Sequence, residues 1–220
     1  MKKLLILTAV LALTVGSAGA VTVGLHSSNA GIGTMSYSVS GSNIYIWENW
    51  NATGRGFLQL NELSAGANYT VYKYITNNTG VDWDHFSNEL LDPGLDSGDP
   101  TPQPAWIPAG YSSSNESDGL SFAQGSGVAR TSEHFGSLLT DELANRDYLD
   151  FFGGLVSGAG GTDTVSFGLR DSNPSANEPF LLAQRPNEFT NEEPAIPEPT
   201  TMLLFGLGMA GVAIRKRFTK

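Results

Sequence analysis

The chain has 220 residues, with 12 basic and 22 acidic side chains and no cysteine. A formal net charge of −10 disfavours nucleic acid and anionic lipid as partners. The lack of cysteine excludes a disulfide scaffold, a cysteine nucleophile and a thiolate metal site.

The N-terminal end has the pattern of a secretory signal peptide. Lys2 and Lys3 form a basic start, and an uncharged, largely apolar run follows from Leu4 to Val15. Ala18 and Ala20 fit the small-x-small rule, so we predict cleavage after Ala20 and export through the secretion machinery. The alternative, an N-terminal membrane helix, is disfavoured because the apolar run is too short to span a bilayer.

The chain without its first 20 and last 21 residues is strongly acidic. Residues 21–199 hold six basic and all 22 acidic residues, and therefore have a net charge of −16. A segment of this length is enough for one domain with a real core. Its charge keeps the mature chain soluble and also suits association with calcium.

Short runs of aromatic and β-branched residues, separated by Gly, Pro, Ser and Asn, predict an all-β domain. The clearest strand is Asn68–Asn77, in which alternation places Tyr69, Val71, Lys73 and Ile75 on one face. The other predicted strands are 35–40, 44–50, 81–91, 120–124, 128–131, 150–157, 162–170 and 179–184. We expect a single antiparallel β-sandwich of jelly-roll-like form.

Segments rich in Gly and Asn predict how these strands are connected. Residues 41–43 join the first two strands, and residues 77–80 form a turn from which 81–91 returns. Residues 158–161 are four small residues between two strands, which is a strong hairpin signal.

Two later segments depart from the strand pattern. The leucines of Leu138–Tyr148 share one helical face, which predicts a short helix. Residues 92–118 are rich in Pro, Gly and Ser, which predicts a long exposed loop. Trp106 lies within that loop, and we expect it to be tucked onto the sandwich.

The four tryptophans are candidates for two roles, core packing and contact with sugars. We expect Trp83, together with Phe86, to anchor the core. Trp47, Trp50 and Trp106 are candidate exposed aromatic residues, on which sugar rings would stack in a carbohydrate-binding module. Core packing is the favoured alternative for these three side chains, and the sequence leaves both open.

The chain shows no familiar catalytic motif. Its three histidines, His26, His85 and His134, have no spacing typical of metal ligands, and no G-x-S-x-G elbow occurs. We therefore expect no enzyme and no metal centre. Asp82 and Asp84 predict a small exposed acidic patch, and carboxylates anywhere in a chain can act in glycosidases, so a surface hydrolase stays open.

An acidic, glycine-rich segment is the one candidate for a cation. Asp92, Asp96 and Asp99 lie there with Gly94 and Gly98, and calcium takes several oxygen ligands from loops of this kind. The spacing differs from that of an EF-hand, so a solvated turn is the default. We expect no cofactor, with calcium as the alternative.

The C-terminal end combines a short spacer, an apolar run and a basic end. Met202 to Ile214 carries no charge, and as a helix it would be roughly 20 Å long, against about 30 Å for a hydrocarbon core. We predict a marginal transmembrane helix over 200–214, with the basic end on the cytoplasmic side. The residues that define this signal are Pro197, Glu198, Pro199, Arg215, Lys216 and Arg217.

This tail resembles the PEP-CTERM sorting signal. The resemblance rests on the triplet 197–199, the leucines and glycines that follow it, and the basic end 215–217; Ile196 stands where valine is usual. It implies an exported protein of a Gram-negative bacterium that makes exopolysaccharide, whose tail is recognised and removed by a membrane protease of the exosortase type. A plain, unprocessed membrane anchor is the alternative.

A second resemblance lies in the predicted sandwich. Asn77-x-Thr79-Gly80-x-x-Trp83-x-x-Phe86 is similar to a segment of the extracellular β-sandwich domains that PEP-CTERM proteins carry. It supports the predicted fold and implies no ligand.

These observations give one domain organisation. The predicted parts are a signal peptide at 1–20, a β-sandwich at 21–186, a tether at 187–196 and the sorting signal at 197–220. We expect an exported, non-enzymatic, structural or adhesive protein of the exopolysaccharide layer, held transiently at the inner membrane and then placed at the cell surface or in the matrix. Exosortase is the implied partner, with exopolysaccharide as a candidate. The alternatives are a carbohydrate-binding module and a surface hydrolase.

Overall fold

A computed structural model gives the fold of the central part of the chain. It describes residues 20–94, 104–114, 120–124, 126–141, 146–172 and 179–188. Except for Ala20, Asn187 and Glu188, the predicted signal peptide, tether and sorting signal, including the helix over 200–214, lie outside these residues. Within the described ranges, no helix is long and apolar enough to cross a membrane.

The described residues form thirteen β-strands and no helix. The strands are β1 Thr22–Leu25, β2 Ile32–Ser40, β3 Asn43–Trp50, β4 Gly56–Asn61, β5 Asn68–Asn77, β6 Trp83–Pro93, β7 Tyr111–Ser113, β8 Leu120–Ser121, β9 Thr131–Ser132, β10 Ser137–Asp141, β11 Tyr148–Val156, β12 Gly161–Asp171 and β13 Phe180–Pro186. The predicted all-β class is therefore confirmed.

These strands form two sheets that pack as a sandwich. The first sheet has the order β1-β4-β13-β6-β11-β10, with β7 paired to the end of β6, and all its pairs are antiparallel. The second has the order β2-β3-β5-β12-β8, with β9 also paired to β12. β3 and β5 run parallel, so the prediction of a wholly antiparallel sandwich is wrong at this pair. The reason is that β4 lies in the first sheet, so the chain crosses to that sheet and returns in the same direction.

The core lies between the sheets and is centred on aromatic rings. β5 has the predicted bounds, and its side chains alternate between buried and half-exposed along the whole strand. Trp83 and Phe86 are buried as predicted, 2% and 1% exposed, and Trp50 meets both edge-on at centroid distances of 5.3 and 5.8 Å. Edge-to-face aromatic packing of this kind adds to the stabilisation that comes from buried area.

The predicted helix over 138–148 is wrong. Residues 137–141 form β10, which pairs antiparallel with β11 and places Leu138 opposite Phe151. Leu138 packs against the core from this edge strand. A short run of leucines fits a helix face or a strand equally well, and here the free edge of β11 supplied the hydrogen bonds that decided it.

Two predicted hairpins are also wrong, although their turns are present. The turn after β5 leads to β6 in the first sheet, and the turn at 158–161 leads from β11 in the first sheet to β12 in the second. A turn sequence specifies that the chain reverses, but not that the two strands hydrogen-bond to each other. By contrast, β2 and β3 do form the predicted hairpin around Gly41, which has a φ of 60°.

The segment 92–118 is less loop-like than predicted. Asp92 belongs to β6, and Tyr111–Ser113 forms β7 against the end of that strand. Likewise, β8 and β9 lie near the predicted strands 120–124 and 128–131, but each pairs with β12 rather than with the other. The last strand, predicted at 179–184, is present as β13.

Candidate functional site

The outer face of the second sheet carries an aromatic patch. On β3 the side chains of Ile44, Ile46, Glu48 and Trp50 point into the core, so those between them point outward. The parallel register of β3 and β5 places Tyr45 beside Tyr72 and Trp47 beside Tyr74. We call these four outward side chains the aromatic ladder.

The rings of the aromatic ladder stack on one another. Tyr45 and Tyr72 lie 5.3 Å apart at an interplanar angle of 13°, and Trp47 and Tyr74 lie 5.4 Å apart at the same angle. Tyr45 and Trp47 are 6.4 Å apart along β3. Cross-strand aromatic pairs stabilise a sheet by roughly 0.2–1 kcal/mol each. They also fix the ring positions before any ligand arrives.

Short polar side chains surround the aromatic ladder. Strand register defines three rows across β2, β3, β5 and β12, and none of their side chains is charged. The rows are Ser38–Tyr45–Tyr72–Ser166, Ser36–Trp47–Tyr74–Thr164 and Thr34–Asn49–Thr76–Thr162. An uncharged surface is notable in a segment whose net charge is −16.

A groove runs beside the aromatic ladder. Its volume is about 520 Å³, and the second and third rows line it, with Trp47 and Tyr74 next to shorter Thr and Asn side chains. Met35, Glu48, Ile75 and Asp163, which lie between these two rows, also line it, and the carboxylates of Glu48 and Asp163 are buried on the core side of the sheet. Asn49 accepts a hydrogen bond of 2.7 Å from Asn78 at the end of the strand. The groove thus offers apolar ring surface together with hydroxyl and amide groups, and no ionised group from these rows.

Part of the outer face of the first sheet, around β4, β6 and β13, is covered by the chain itself. Its outer side chains Phe57, Leu91 and Leu181 are buried beneath Trp106 and Ile107. Trp106 stacks on Phe57, and the guanidinium group of Arg185 lies over the Trp106 ring, with its Cζ atom 4.3 Å from the ring centroid. The predicted tucking of Trp106 onto the sandwich is therefore confirmed, and the chain itself occupies this surface.

The three candidate tryptophans therefore have different positions. Trp47 is 43% exposed and lies in the aromatic ladder. Trp50 is fully buried, so the favoured interpretation of core packing is confirmed for it and the alternative of an exposed sugar contact is not. It lies three residues after Trp47, and residues an odd number apart on one strand face opposite sides of the sheet.

Several predicted polar candidates have structural partners. Asp84 is largely exposed, but Asp82 accepts a hydrogen bond of 2.8 Å from the amide of Gly158. Asp92 is buried and accepts hydrogen bonds from the Ser114 hydroxyl and the Leu120 amide. Asp96 and Asp99 lie outside the described residues, so the calcium prediction is not tested.

Among the described residues, the fold brings together a cluster of two carboxylates and one histidine that sequence spacing did not reveal. Ligand atoms of Glu133, His134 and Asp163 lie within 4.8 Å of one another. Asp163 is buried, and its oxygens accept hydrogen bonds from the Ser132 hydroxyl and from the amides of Glu133 and His134. These bonds fix the turn after β9, which is a sufficient structural role for Asp163.

The sorting-signal residues Pro197, Glu198, Pro199, Arg215, Lys216 and Arg217, and the cleavage-site residue Ala18, lie outside the described residues. Ala20 is described and exposed, ahead of β1. Cleavage after it stays a prediction.

Comparison with known proteins identifies the C-terminal end. A protein-family model, the PEP-CTERM protein-sorting motif, matches residues 195–217. No curated protein and no solved structure matches the chain. The motif is typical of exported proteins that exosortase, a membrane protein, processes for delivery to the cell surface. The chain thus carries a PEP-CTERM sorting signal at residues 195–217.

Proposed function

We propose that the mature chain is a non-enzymatic, adhesive component of the exopolysaccharide layer, and that the aromatic ladder and its groove bind neutral polysaccharide. The observation that carries this proposal is the stacked pair Trp47–Tyr74 beside a groove of about 520 Å³ whose outward side chains are uncharged. This combines the structural role with the carbohydrate-binding alternative, since binding the matrix polymer is how an adhesive protein would be retained.

The chemistry of the groove favours sugars over other ligands. Apolar ring surface packs against the C–H faces of a pyranose, and Ser, Thr and Asn side chains exchange hydrogen bonds with its hydroxyl groups. A net charge of −16 over residues 21–199 repels acidic polymers, and the groove rows hold no cation to offset this. The ligand class is therefore a polysaccharide poor in acidic sugars.

The sorting signal provides the route to that ligand. In this proposal the segment 200–214 holds the chain at the inner membrane of a Gram-negative cell, with the bulk of the protein outside and Arg215, Lys216 and Arg217 on the cytoplasmic side. Removal of the tail then releases the acidic sandwich to the surface or matrix. A surface hydrolase is the competing function, and it predicts turnover of the bound polymer.

The test is polysaccharide binding by the protein recovered from the exporting cell. Trp47→Ala removes half of one stacked pair, and we expect binding to neutral polysaccharide to weaken roughly tenfold, or about 1.4 kcal/mol. Affinity electrophoresis in gels containing the polymer measures this. Because the outward side chains of the groove are uncharged and its two carboxylates are buried, added salt should leave the affinity nearly unchanged.

Tyr37→Ala is the matched control. Tyr37 is 39% exposed on β2 of the same sheet, yet it lies opposite Ile46, on the other face from the aromatic ladder. Its replacement should leave binding unchanged. Equal loss in both variants, or no binding by the wild-type chain, would overturn the proposed ligand site. Release of sugar products would favour the hydrolase.

A further inference from the structure

A cluster of polar side chains is buried between the two sheets. Glu48 on β3 and Lys73 on β5 come from the second sheet, and Asn88 on β6 and Gln184 on β13 come from the first. Glu48 is 2% exposed and the other three are fully buried. Gln184 and Asn88 are register partners on adjacent strands, so their two carboxamides lie side by side opposite Lys73.

One carboxylate in this cluster contacts both an amine and an amide nitrogen. Glu48 Oε1 accepts a hydrogen bond of 3.0 Å from Gln184 Nε2, and Glu48 Oε2 lies 3.5 Å from Lys73 Nζ. Lys73 Nζ in turn donates to Gln184 Oε1. Trp50 Nε1 donates to Glu48 Oε2 at 3.0 Å and holds the carboxylate in place. An amine, an acyl group and a proton carrier are thus arranged around one carboxamide.

Burial leaves part of the Lys73 amine uncharged. Lys73 Nζ lies 4.7 Å from the centre of the Phe86 ring, and its side chain has no solvent exposure. Burial lowers the pKa of Lys73 to about 8, because desolvation outweighs the attraction of Glu48. A fraction of the amine is therefore unprotonated near neutral pH, and an unprotonated amine is the nucleophilic form.

We propose that Lys73 and Gln184 form an intramolecular amide bond, with Glu48 as the proton carrier and ammonia as the leaving group. Lys73 Nζ attacks the Cδ atom of Gln184, a new Nζ–Cδ bond forms and the Cδ–Nε2 bond breaks. Glu48 takes a proton from Nζ through one oxygen and delivers it to Nε2 through the other. The products are a secondary amide and ammonia, Glu48 returns to its starting state, and nothing is oxidised or reduced.

The hydrogen bonds select Gln184 over Asn88. A carboxylate only accepts and an ammonium group only donates, so Glu48 and Lys73 together fix which end of the Gln184 carboxamide is oxygen. Asn88 Oδ1 also lies 3.2 Å from Lys73 Nζ, but no described residue accepts a hydrogen bond from its Nδ2. Glu48 can therefore deliver a proton to the leaving nitrogen of Gln184, whereas the side-chain nitrogen of Asn88 has no such partner among the described residues.

The link would join the two sheets at the strand nearest the tail. β13 is the last strand before the predicted tether, and Gln184 lies two residues before its end. Tension applied at the tether would pull first on β13, which is otherwise held by hydrogen bonds to β4 and β6. A covalent bond to β5 transfers that load to the opposite sheet. The inference does not depend on the polysaccharide site.

Peptide mass spectrometry of the wild-type protein from the exporting cell tests this directly. After proteolysis, we expect the peptides containing Lys73 and Gln184 to be recovered joined, with a mass lower than their sum by one ammonia. Fragmentation should locate the link. Recovery of the two peptides separately and unmodified would overturn the proposal, and a link from Lys73 to Asn88 would overturn the assignment to Gln184.

Glu48→Gln separates reaction from packing. This change keeps the size of the side chain but removes the proton carrier, so we expect a folded chain without the link. Far-ultraviolet circular dichroism checks that the variant folds. If it does not fold, the peptide mass spectrometry of the wild type still tests for the link. A folded Glu48→Gln chain that is linked to the same extent as the wild type would contradict the role given to Glu48.

Discussion

Lys73 lies between Val71 and Ile75 on the buried side of β5, where alternation places a charged side chain at a core position. Taking an ammonium group out of water is costly unless partners compensate. Glu48, Asn88 and Gln184 supply those partners from three other strands. The sequence indicated the orientation of Lys73, but partners 25, 15 and 111 residues away became visible only in the fold.

A free Lys73 amine would make stability depend on pH. Burial lowers its pKa to about 8, whereas the unfolded chain has the ordinary value of 10.5. Below about pH 8 the amine would be charged in the folded chain as well, so the fold would carry the whole energetic cost of burying that charge. The free energy of unfolding would then rise as the pH increases from about 8 to 10.5, because the unfolded state binds the proton more tightly across this window.

The proposed amide predicts that this rise is absent, since an amide nitrogen does not titrate in this range. We expect the wild type and Lys73→Met to show the same slope of unfolding free energy against pH, measured by urea denaturation between about 8 and 10.5. Tyrosine titration contributes to both chains and cancels in the comparison. A steeper rise in the wild type would show that the amine is free.

At the scale of the strands, two tight turns hold one end of the sandwich together. The turn after β5 and the turn after β11 each cross between the sheets, and they contact each other through a 3.0 Å hydrogen bond from the amide of Gly80 to the carbonyl of Gly158. Gly160 also donates to the carbonyl of Asn77. The backbones approach so closely that a Cβ atom on Gly158 would lie 2.3 Å from the Val81 nitrogen.

Gly158→Ala should therefore destabilise the fold. The new methyl group meets backbone atoms rather than a flexible side chain, and overpacking of this kind costs about 1–3 kcal/mol. Urea denaturation measures the loss. Gly136→Ala is the control, because its Cβ would lie 3.7 Å from the nearest atom, in ordinary contact, and we expect a change within about 0.5 kcal/mol. Similar stabilities for the two variants would refute the close-approach argument.

The two outer faces differ at the scale of the whole molecule. The segment around Trp106 covers the outer face of β4, β6 and β13 in the first sheet, and the second sheet carries the aromatic ladder on its outer face. Beyond β13, the sorting motif at 195–217 lies outside the described residues. The sorting motif therefore does not overlap the strands of the sandwich in sequence, and the proposed binding surface belongs to the sandwich alone.

Removal of the tail can be followed with two epitopes, one just before Ile196 and one after Lys220. In a cell that contains exosortase, we expect the upstream epitope in the envelope or outside the cell without the C-terminal one. Immunoblots of cell fractions measure this, and a strain without the protease is the control. Both epitopes remaining together in the membrane fraction of both strains would indicate a permanent anchor.

Several features could be predicted from the sequence because they depend on residues that are close together along the chain. The sorting motif was readable because its triplet, apolar run and basic end are contiguous in sequence, and the family match at 195–217 confirms it. The all-β class, the bounds of β5 and the burial of Trp83 and Phe86 followed from alternation and turn residues. The outward side chains of the aromatic ladder alternate with core residues along β3 and β5, which is a signal that sequence reading could have used.

Only the tertiary structure decided which strands became neighbours. The predicted helix over 138–148 and the two predicted hairpins failed because sheet membership depends on contacts between distant segments. The pairing of Trp47 with Tyr74, and of Lys73 with Gln184, likewise joins residues 27 and 111 positions apart. The sequence by itself set local conformation and destination, because both depend on adjacent residues. The aromatic ladder and the buried cluster arise from strand register and the packing of two sheets, which adjacent residues do not specify.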